Sequence, residues 1–213
     1  MLLSLLVAGN CLAQAPAVSS FGGGTPFASI DTTNMTAGWS FTANANLIVS
    51  ALGFWDFDIT QPLTMSHNVG LWTSSGTQLA TTVVQTNSPL TGSWRYVSIT
   101  PVNLISGQTY IVGSDIVSPF TDAYTRVPTA GGSVVTSGLI TIGTSFISSS
   151  ASGFVFPGTA EPTFLGRFGP NLIIAQAPPT PPVPISPWAL SLIAGGLLAA
   201  GLLAIRGRQT AVD

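Results

Sequence analysis

The sequence predicts an all-β protein, an antiparallel β-sandwich of the jelly-roll type, plus one C-terminal transmembrane helix. Between residues 18 and 177 apolar and polar residues mostly alternate, which is the pattern of half-buried strands. Glycine, proline, asparagine and serine interrupt these runs at short intervals, as in sandwich folds. Residues 188–205 are uncharged and mostly apolar, as expected of a membrane-spanning segment.

The N-terminal segment, residues 1–15, resembles a secretory signal peptide. Leu2 to Leu12 is apolar, and Ala13-Gln14-Ala15 has the small-x-small form of a cleavage site. The segment is too short for a second membrane span. We therefore expect export, with cleavage after Ala15 or Ala17.

Composition limits the possible functions. Charged residues make up 6% of the 213 residues, against about 25% in ordinary soluble domains. The arginines of the central region, Arg95, Arg126 and Arg167, stand singly, so we expect no basic patch and no nucleic-acid binding. Cys11 is the one cysteine and lies in the signal segment. The mature chain would therefore have no thiol for disulfides, catalysis or zinc.

The domain is expected over residues 16–177, without an amphipathic helix. Turn signals occur at Ser75-Gly76, Asn87-Ser88-Pro89, Thr91-Gly92 and Ser106-Gly107, where glycine supplies positive φ and proline presets φ. The runs predicted as strands are residues 47–55, 69–72, 79–84, 94–99, 110–112, 133–136, 139–142, 153–156, 163–168 and 171–175. About 160 residues suffice to bury one core.

One set of alternating positions is predicted to form a continuous core face. Its members are Leu52, Phe54, Val69, Leu71, Leu79, Val97, Leu104 and Tyr110. Gly107 suits the turn that must precede the strand containing Tyr110.

These residues also carry a family resemblance. The runs Ala51-Leu52-Gly53-Phe54, His67-Asn68-Val69-Gly70-Leu71-Trp72, Gly76-Thr77-Gln78-Leu79-Ala80 and Leu104 to Tyr110 form the pattern "ALGF…H-x-V-G-L-W…G-x-x-L-A…L-x-x-G-x-x-Y". This resembles an exported bacterial β-sandwich domain of unknown function. The resemblance implies a fold and a location outside the cytoplasm, but no chemistry.

Asp56 and Asp58 are the first candidate site. They flank Phe57, so in a strand both carboxylates point to one face. We interpret them as a solvated strand end. The alternatives are a structural cation, to which Asn68, Asp115 and Asp122 would contribute if the fold brings them close, and a glycosidase acid and base.

His67 and the aromatic residues are the other candidates. His67 is the one histidine and is expected at a turn or strand start, since no Gly-x-Ser-x-Gly motif accompanies it. We expect Trp72 and Trp94 to be buried, because aromatic residues dominate cores. Trp55 and Tyr124 are the candidates for stacking on sugar rings.

The C-terminal segment is predicted to set the location. Prolines in residues 178–187 favour an extended spacer of about 3.1 Å per residue. Residues 188–205 would span about 27 Å as a helix, enough for a bilayer core. Arg206 and Arg208, in the basic tail of residues 206–213, place this end in the cytoplasm.

The same segment resembles the PEP-CTERM and IPTL-CTERM class of sorting signals. The residues that carry this resemblance are Val183, Pro184, Ser186, Trp188, Arg206 and Arg208. The spacing departs from the pattern, because Ile185 alone stands where two residues are usual. The resemblance implies recognition by an exosortase-type membrane enzyme, whereas the simpler alternative is a single-span anchor.

Taken together, these features predict an exported, non-enzymatic envelope or matrix protein without a cofactor. It is expected to contact the membrane through its C-terminal helix and an exosortase-type enzyme during processing. A carbohydrate-binding module that contacts polysaccharide is the first alternative. A secreted glycoside hydrolase using Asp56 or Asp58 is the second.

Overall fold

The computed structural model describes residues 13–27, 34–117, 122–149 and 153–179. Within these ranges the protein is all-β, with antiparallel pairing throughout and no helix. The strands are β1 (Ala15–Pro16), β2 (Val18–Gly22), β3 (Thr25–Phe27), β4 (Met35–Ala43), β5 (Leu47–Trp55), β6 (His67–Thr73), β7 (Gln78–Val84), β8 (Leu90–Thr91), β9 (Trp94–Leu104), β10 (Thr109–Ile116), β11 (Tyr124–Pro128), β12 (Ser133–Thr136), β13 (Ile140–Ser149), β14 (Thr159–Glu161), β15 (Phe164–Phe168) and β16 (Pro170–Gln176). The predicted fold class, all-β and antiparallel, is confirmed.

Two larger sheets make up most of the domain. The first has the order β1-β16-β5-β9-β8, and the second has the order β14-β13-β4-β10-β6-β7. Two small sheets, β15-β11-β3 and β12-β2, complete it. β4 and β5 are consecutive but belong to different sheets, so the short connection at residues 44–46 passes from one sheet to the other.

Strands of both larger sheets contribute to one hydrophobic core. The predicted core face is confirmed, since six of its members are buried and Leu79 and Val97 are half-buried against the core. The core also contains Trp39 and Phe41 of β4 and Phe168 of β15, each 0% exposed. Truncating such a side chain to alanine costs about 3–5 kcal/mol.

A register shift in β5 explains why apolar residues on both sides of the shift enter one core. In the pairing of β5 with β16, Ala51 pairs with Ile173 but Val49 pairs with Ile174, and the extra residue Ser50 moves the following side chains to the other face. Leu47 and Val49 before the shift therefore enter the same core as Leu52 and Phe54 after it. Trp55 instead packs edge-on against Phe21 of β2, with ring centroids 5.0 Å apart.

Three predicted turns are confirmed by the backbone. Gly76, Gly92 and Gly107 have φ angles of 93°, 61° and 78°, which only glycine adopts without strain. Gly107 lies two residues before β10, as its turn role requires.

The predicted strand at residues 153–156 is wrong. The backbone N–H of Val155 donates to Thr36 Oγ1 at 2.7 Å, and that hydroxyl donates to the carbonyl of Gly153 at 3.1 Å. Side-chain bonding to β4 therefore takes the place of a strand ladder in this segment. The prediction also omitted β4, which pairs with β10 on one side and β13 on the other.

The expected signal peptide lies mostly outside the described residues. The same is true of the spacer from Thr180 onward, the helix at residues 188–205 and the basic tail. Among the residues that are described, none belongs to a helix with the length and apolar character needed to cross a bilayer.

Candidate functional site

An acidic cleft of about 440 Å³ lies where β5 ends and the chain turns back toward β6. It is lined by Pro26, Asp56, Phe57, Asp58, Gln61, Pro62, Thr64, Asp122 and Ala123. Residues 56–66 form one wall and the residues just before β11 contribute the other. The cleft combines three carboxylates with apolar proline and phenylalanine surface.

Asp56 is buried at one side of this cleft. It is 3% exposed and accepts a 2.7 Å hydrogen bond from Arg95 Nε. Arg95 also donates from Nη1 to the carbonyl of Ser88 and from Nη2 to the carbonyl of Gln61. Burial raises the pKa of Asp56 above its ordinary value, although the hydrogen bond from Arg95 acts in the opposite direction. Asp56 is therefore a buried ion-pair partner, and the expected solvated strand end is wrong for this residue.

Asp58 is exposed at the rim of the cleft. Its Oδ1 accepts from the Thr60 hydroxyl at 2.6 Å and from the Thr60 backbone N–H at 3.2 Å. These bonds lower the pKa of Asp58. Because β5 ends at Trp55, the two aspartates do not alternate along one strand. Both nevertheless line the same cleft.

His67 lies beneath the cleft at the first position of β6. Its ring is 2% exposed and stacks on Phe54, with centroids 3.6 Å apart and planes 5° from parallel. Nε2 is 3.1 Å from Asp122 Oδ2, and Nδ1 is 3.5 Å from Asp115 Oδ1. The predicted strand start is confirmed, but both ring nitrogens face carboxylates that are distant in sequence.

The two carboxylates are bound by further groups. Asp122 accepts from the backbone N–H groups of Thr64 and Met65. Burial raises its pKa, but the bonds from His67 and these amides act more strongly, so the pKa is lowered overall. Asp115 accepts from the backbone N–H of Asn68 at 2.9 Å and also from its side-chain amide. The described residues contain no group of three or more His, Cys, Asp and Glu side chains arranged to hold a metal ion.

The predicted aromatic candidates differ in exposure. Trp72 and Trp94 are each 3% exposed, which confirms their predicted burial. Trp55 is half-buried and packs edge-on against Phe57, with centroids 5.4 Å apart. Phe57 is 62% exposed and lines the cleft. Phe57 was not among the predicted site residues, although its position between Asp56 and Asp58 in the sequence could have identified it.

Tyr124 is not a surface residue. It is 1% exposed, and its hydroxyl accepts a 2.9 Å hydrogen bond from Arg167 Nη1. Arg167 also binds Glu161 in a bidentate pair, with distances of 2.8 and 2.9 Å. The expected stacking of the Tyr124 ring on a sugar is therefore wrong, because a structural network covers the ring.

A second, more open groove of about 620 Å³ lies beside β6 and β7. Its aromatic side chains are Trp72, Phe154 and Phe156, with the centroid of Trp72 5.6 Å from that of Phe154. The Trp72 ring lies over Gly70, where a Cβ would collide with it. Trp72 is almost fully covered, so the aromatic surface open to a ligand in this groove comes from the half-buried Phe154 and Phe156.

Comparison with known proteins places the domain in a family. No curated protein matches the chain. Residues 23–160 match the family described as "Domain of unknown function (DUF4082)", which covers more than half of the 213 residues. The expected resemblance to a β-rich domain of unknown function is confirmed, and the chain belongs to the DUF4082 family.

Proposed function

We propose that this protein is an exported, non-enzymatic protein of the cell surface or extracellular matrix. The observation that carries the non-enzymatic part is that the cleft's buried ionisable groups already bind one another. His67 contacts Asp115 and Asp122, and Asp56 is paired with Arg95. A general acid or base must instead reach a substrate proton. These groups stabilise the polypeptide around the cleft.

Hydrolysis assays test this part of the proposal. The full-length protein is incubated with a panel of neutral and acidic polysaccharides, and new reducing ends are measured. We expect no release of reducing ends above the level of a control that contains buffer alone. Release that disappears in Asp58→Asn or Asp56→Asn but persists in the remote variant Ile105→Ala would establish the glycoside hydrolase alternative.

The proposed location depends on the two ends of the chain. The signal-like residues 1–15 support export, and Pro184, Ser186 and Trp188 before an apolar segment support a sorting signal of the PEP-CTERM/IPTL-CTERM class. In this proposal an exosortase-type enzyme removes the helix at residues 188–205 and releases or transfers the domain.

Intact mass of the mature protein tests the location. In cells that contain the processing enzyme, we expect the intact mass of a chain whose C-terminus lies near residues 183–188. In cells without the enzyme, we expect the mass of a longer, membrane-bound chain. A full C-terminus in both cell types would show a permanent single-span anchor. A Trp188→Ala variant would then also keep its full C-terminus, and its mass would differ only by the change of side chain.

We also propose that the two larger sheets form a β-sandwich of the jelly-roll type. The shared core, with Trp39 from one sheet and Leu172 from the other, supports this arrangement. A crystal structure of the mature protein tests it. Sheets packed other than face to face would contradict it.

Carbohydrate binding is the second candidate function, and the exposed Phe57 at the cleft favours it. An exposed aromatic ring can stack on the apolar face of a sugar, and the Asp58 carboxylate beside it accepts hydrogen bonds from hydroxyl groups. Half-buried Trp55 packs edge-on against the Phe57 ring and helps to position it.

A glycan array measures this candidate directly. We expect binding by the wild type to be lost in Phe57→Ala and reduced in Trp55→Ala. Ile105→Ala is the matched control, because Ile105 is 64% exposed and is not a cleft residue. An array without signal for the wild type, or equal signal for Phe57→Ala, argues against carbohydrate binding in this cleft.

A further inference from the structure

We propose that His67, Asp115 and Asp122 form a pH-sensitive bridge that fastens one wall of the acidic cleft to the domain. The bridge is complete when His67 is an imidazolium, and it loosens as the pH rises and the ring loses a proton. The bridge would act in the same way whichever ligand the cleft accepts.

The contacts of the His67 ring specify its protonation state. Both ring nitrogens face carboxylate oxygens, Nε2 at 3.1 Å and Nδ1 at 3.5 Å. An ionised carboxylate only accepts hydrogen bonds, whereas a neutral imidazole has a single N–H. A neutral ring would therefore direct one nitrogen lone pair at a carboxylate. Only the imidazolium satisfies both contacts.

Burial makes this mismatch costly. The ring is 2% exposed, and the Asp115 and Asp122 side chains are 6% and 7% exposed. Phe54 covers one face of the imidazole. Water therefore has little access to replace a lost contact, and removing the positive charge leaves two poorly solvated carboxylates beside each other.

The bridge joins three parts of the chain that meet at the cleft. His67 begins β6, Asp115 is in β10, and Asp122 lies just before β11. Asp122 also accepts from the backbone N–H groups of Thr64 and Met65. Since Thr64 and Asp122 both line the cleft, loss of the bridge would release the contact between the two cleft walls.

The other charged groups near the bridge do not replace the imidazolium. From the end of β5, Asp56 repels Asp122 and is itself paired with Arg95 of β9. Asp58 lies farther away, at the exposed rim, and its negative charge raises the pKa of Asp56. Among the described residues on this side, Arg95 is the compensating cation, and it is paired with Asp56.

The direction of the pH dependence follows from these contacts. Burial lowers the pKa of His67, but the hydrogen bonds and charges of Asp115 and Asp122 outweigh it and raise the pKa above its ordinary 6.5. A group whose folded-state pKa is raised stabilises the fold fully below its unfolded pKa. The contribution is lost as the pH rises through the folded-state pKa. We therefore expect a fastened cleft at mildly acidic pH and a looser one at alkaline pH.

The experiment uses the single histidine of the chain as an NMR probe. Full-length protein labelled with ¹⁵N at histidine is titrated in detergent between pH 5 and pH 10. We expect both ring nitrogens to be protonated at pH 6.5, with a midpoint above this value. Protection factors of the Thr64 and Met65 amides should fall by up to about tenfold for each pH unit between pH 6.5 and the midpoint, and should level off above the midpoint. The Ala17 amide, which donates to the carbonyl of Leu172, is the internal control and should keep its protection.

Two variants separate the bridge from a general effect of charge. Asp122→Asn should lower the His67 midpoint and remove the pH dependence of the Thr64 and Met65 protection factors. Glu161→Gln removes a carboxylate in the separate Arg167 network and should leave the midpoint unchanged. A neutral ring at pH 6.5 in the wild type would overturn the proposal, and so would Thr64 and Met65 protection that does not change through the titration. The wild-type titration decides the matter even if Asp122→Asn does not fold.

Discussion

Arg95 Nε donates to Asp56 Oδ2 at 2.7 Å, in a pair whose side chains are 12% and 3% exposed. The same guanidinium binds the carbonyls of Ser88 and Gln61. One side chain of β9 therefore holds both the residues before β8 and the cleft wall that follows β5. This makes the pair a structural element of the acidic cleft.

Replacing Arg95 with alanine should destabilise the domain by about 3 kcal/mol, because a buried carboxylate loses its partner. Arg95→Lys should recover part of this loss, since lysine restores the charge but lacks the geometry to reach three acceptors. Urea denaturation measures both changes. The control is Asp58→Asn at the exposed rim, which should leave the urea midpoint close to that of the wild type. Equal stability of Arg95→Ala and the wild type would contradict a structural role for the pair.

The Glu161–Arg167 pair should make the domain sensitive to acid. Burial raises the pKa of Glu161, but Arg167 and Ser145 outweigh it, so the pKa lies below its ordinary 4.5. A lowered folded-state pKa gives stability that is present above pH 4.5 and is lost as the pH falls through the folded-state value. We expect denaturation midpoints to decrease below pH 4.5. The decrease should be smaller in Glu161→Gln, which has no proton to take up. If the denaturation midpoint fell equally with decreasing pH in both proteins, carboxylates other than Glu161 would determine the acid sensitivity.

Gly53→Ala should destabilise the domain by about 1–3 kcal/mol, the usual cost of overpacking. A Cβ on Gly53 would meet the Tyr96 ring on one side and the carbonyl of Arg95 on the other, and the backbone carbonyl cannot rotate away. Thermal unfolding followed by circular dichroism measures the loss. Gly158→Ala is the matched control, because its nearest neighbour atoms are 3.4 Å or more from the added Cβ. A loss of the same size in both variants would point to backbone entropy in place of the steric conflict.

Thr36→Val keeps the side-chain shape but removes a hydroxyl that is 0% exposed. The backbone N–H of Val155 then loses its acceptor, which costs about 1–3 kcal/mol for a buried donor. Hydrogen exchange of the Val155 amide should become faster, while the Thr144 amide, which donates to Ser40 Oγ, should be unaffected. An unchanged Val155 amide would show that Thr36 does not hold residues 153–156.

Local sequence signals predicted much of the fold correctly. Gly76, Gly92 and Gly107 were predicted turn positions, and each has the positive φ that glycine alone adopts easily. The core face from Leu52 to Tyr110 was also predicted, because alternation along a strand is a local property. β4 was not predicted as a strand, because its sequence mixes small and polar residues with its aromatic residues (MTAGWSFTA). Its burial on both faces comes from neighbours elsewhere in the chain, including residues 153–156.

The candidate site was predicted only in part. The sequence singled out Asp56, Asp58 and His67, because carboxylates and imidazoles are rare in this chain. It did not indicate that Arg95 would pair with Asp56 across 39 positions, or Asp122 with His67 across 55. It also favoured Tyr124 as a surface residue, although Arg167 and the surrounding strands bury it.

The sequence by itself determined the all-β class, the turns and the residues of the core face. It did so because backbone preferences and side-chain alternation act between near neighbours. Only the tertiary structure decided which ionisable groups are exposed and which are paired. The pKa of a carboxylate or an imidazole depends on burial and on charges within a few ångströms, and here strands that are distant in sequence supply those charges.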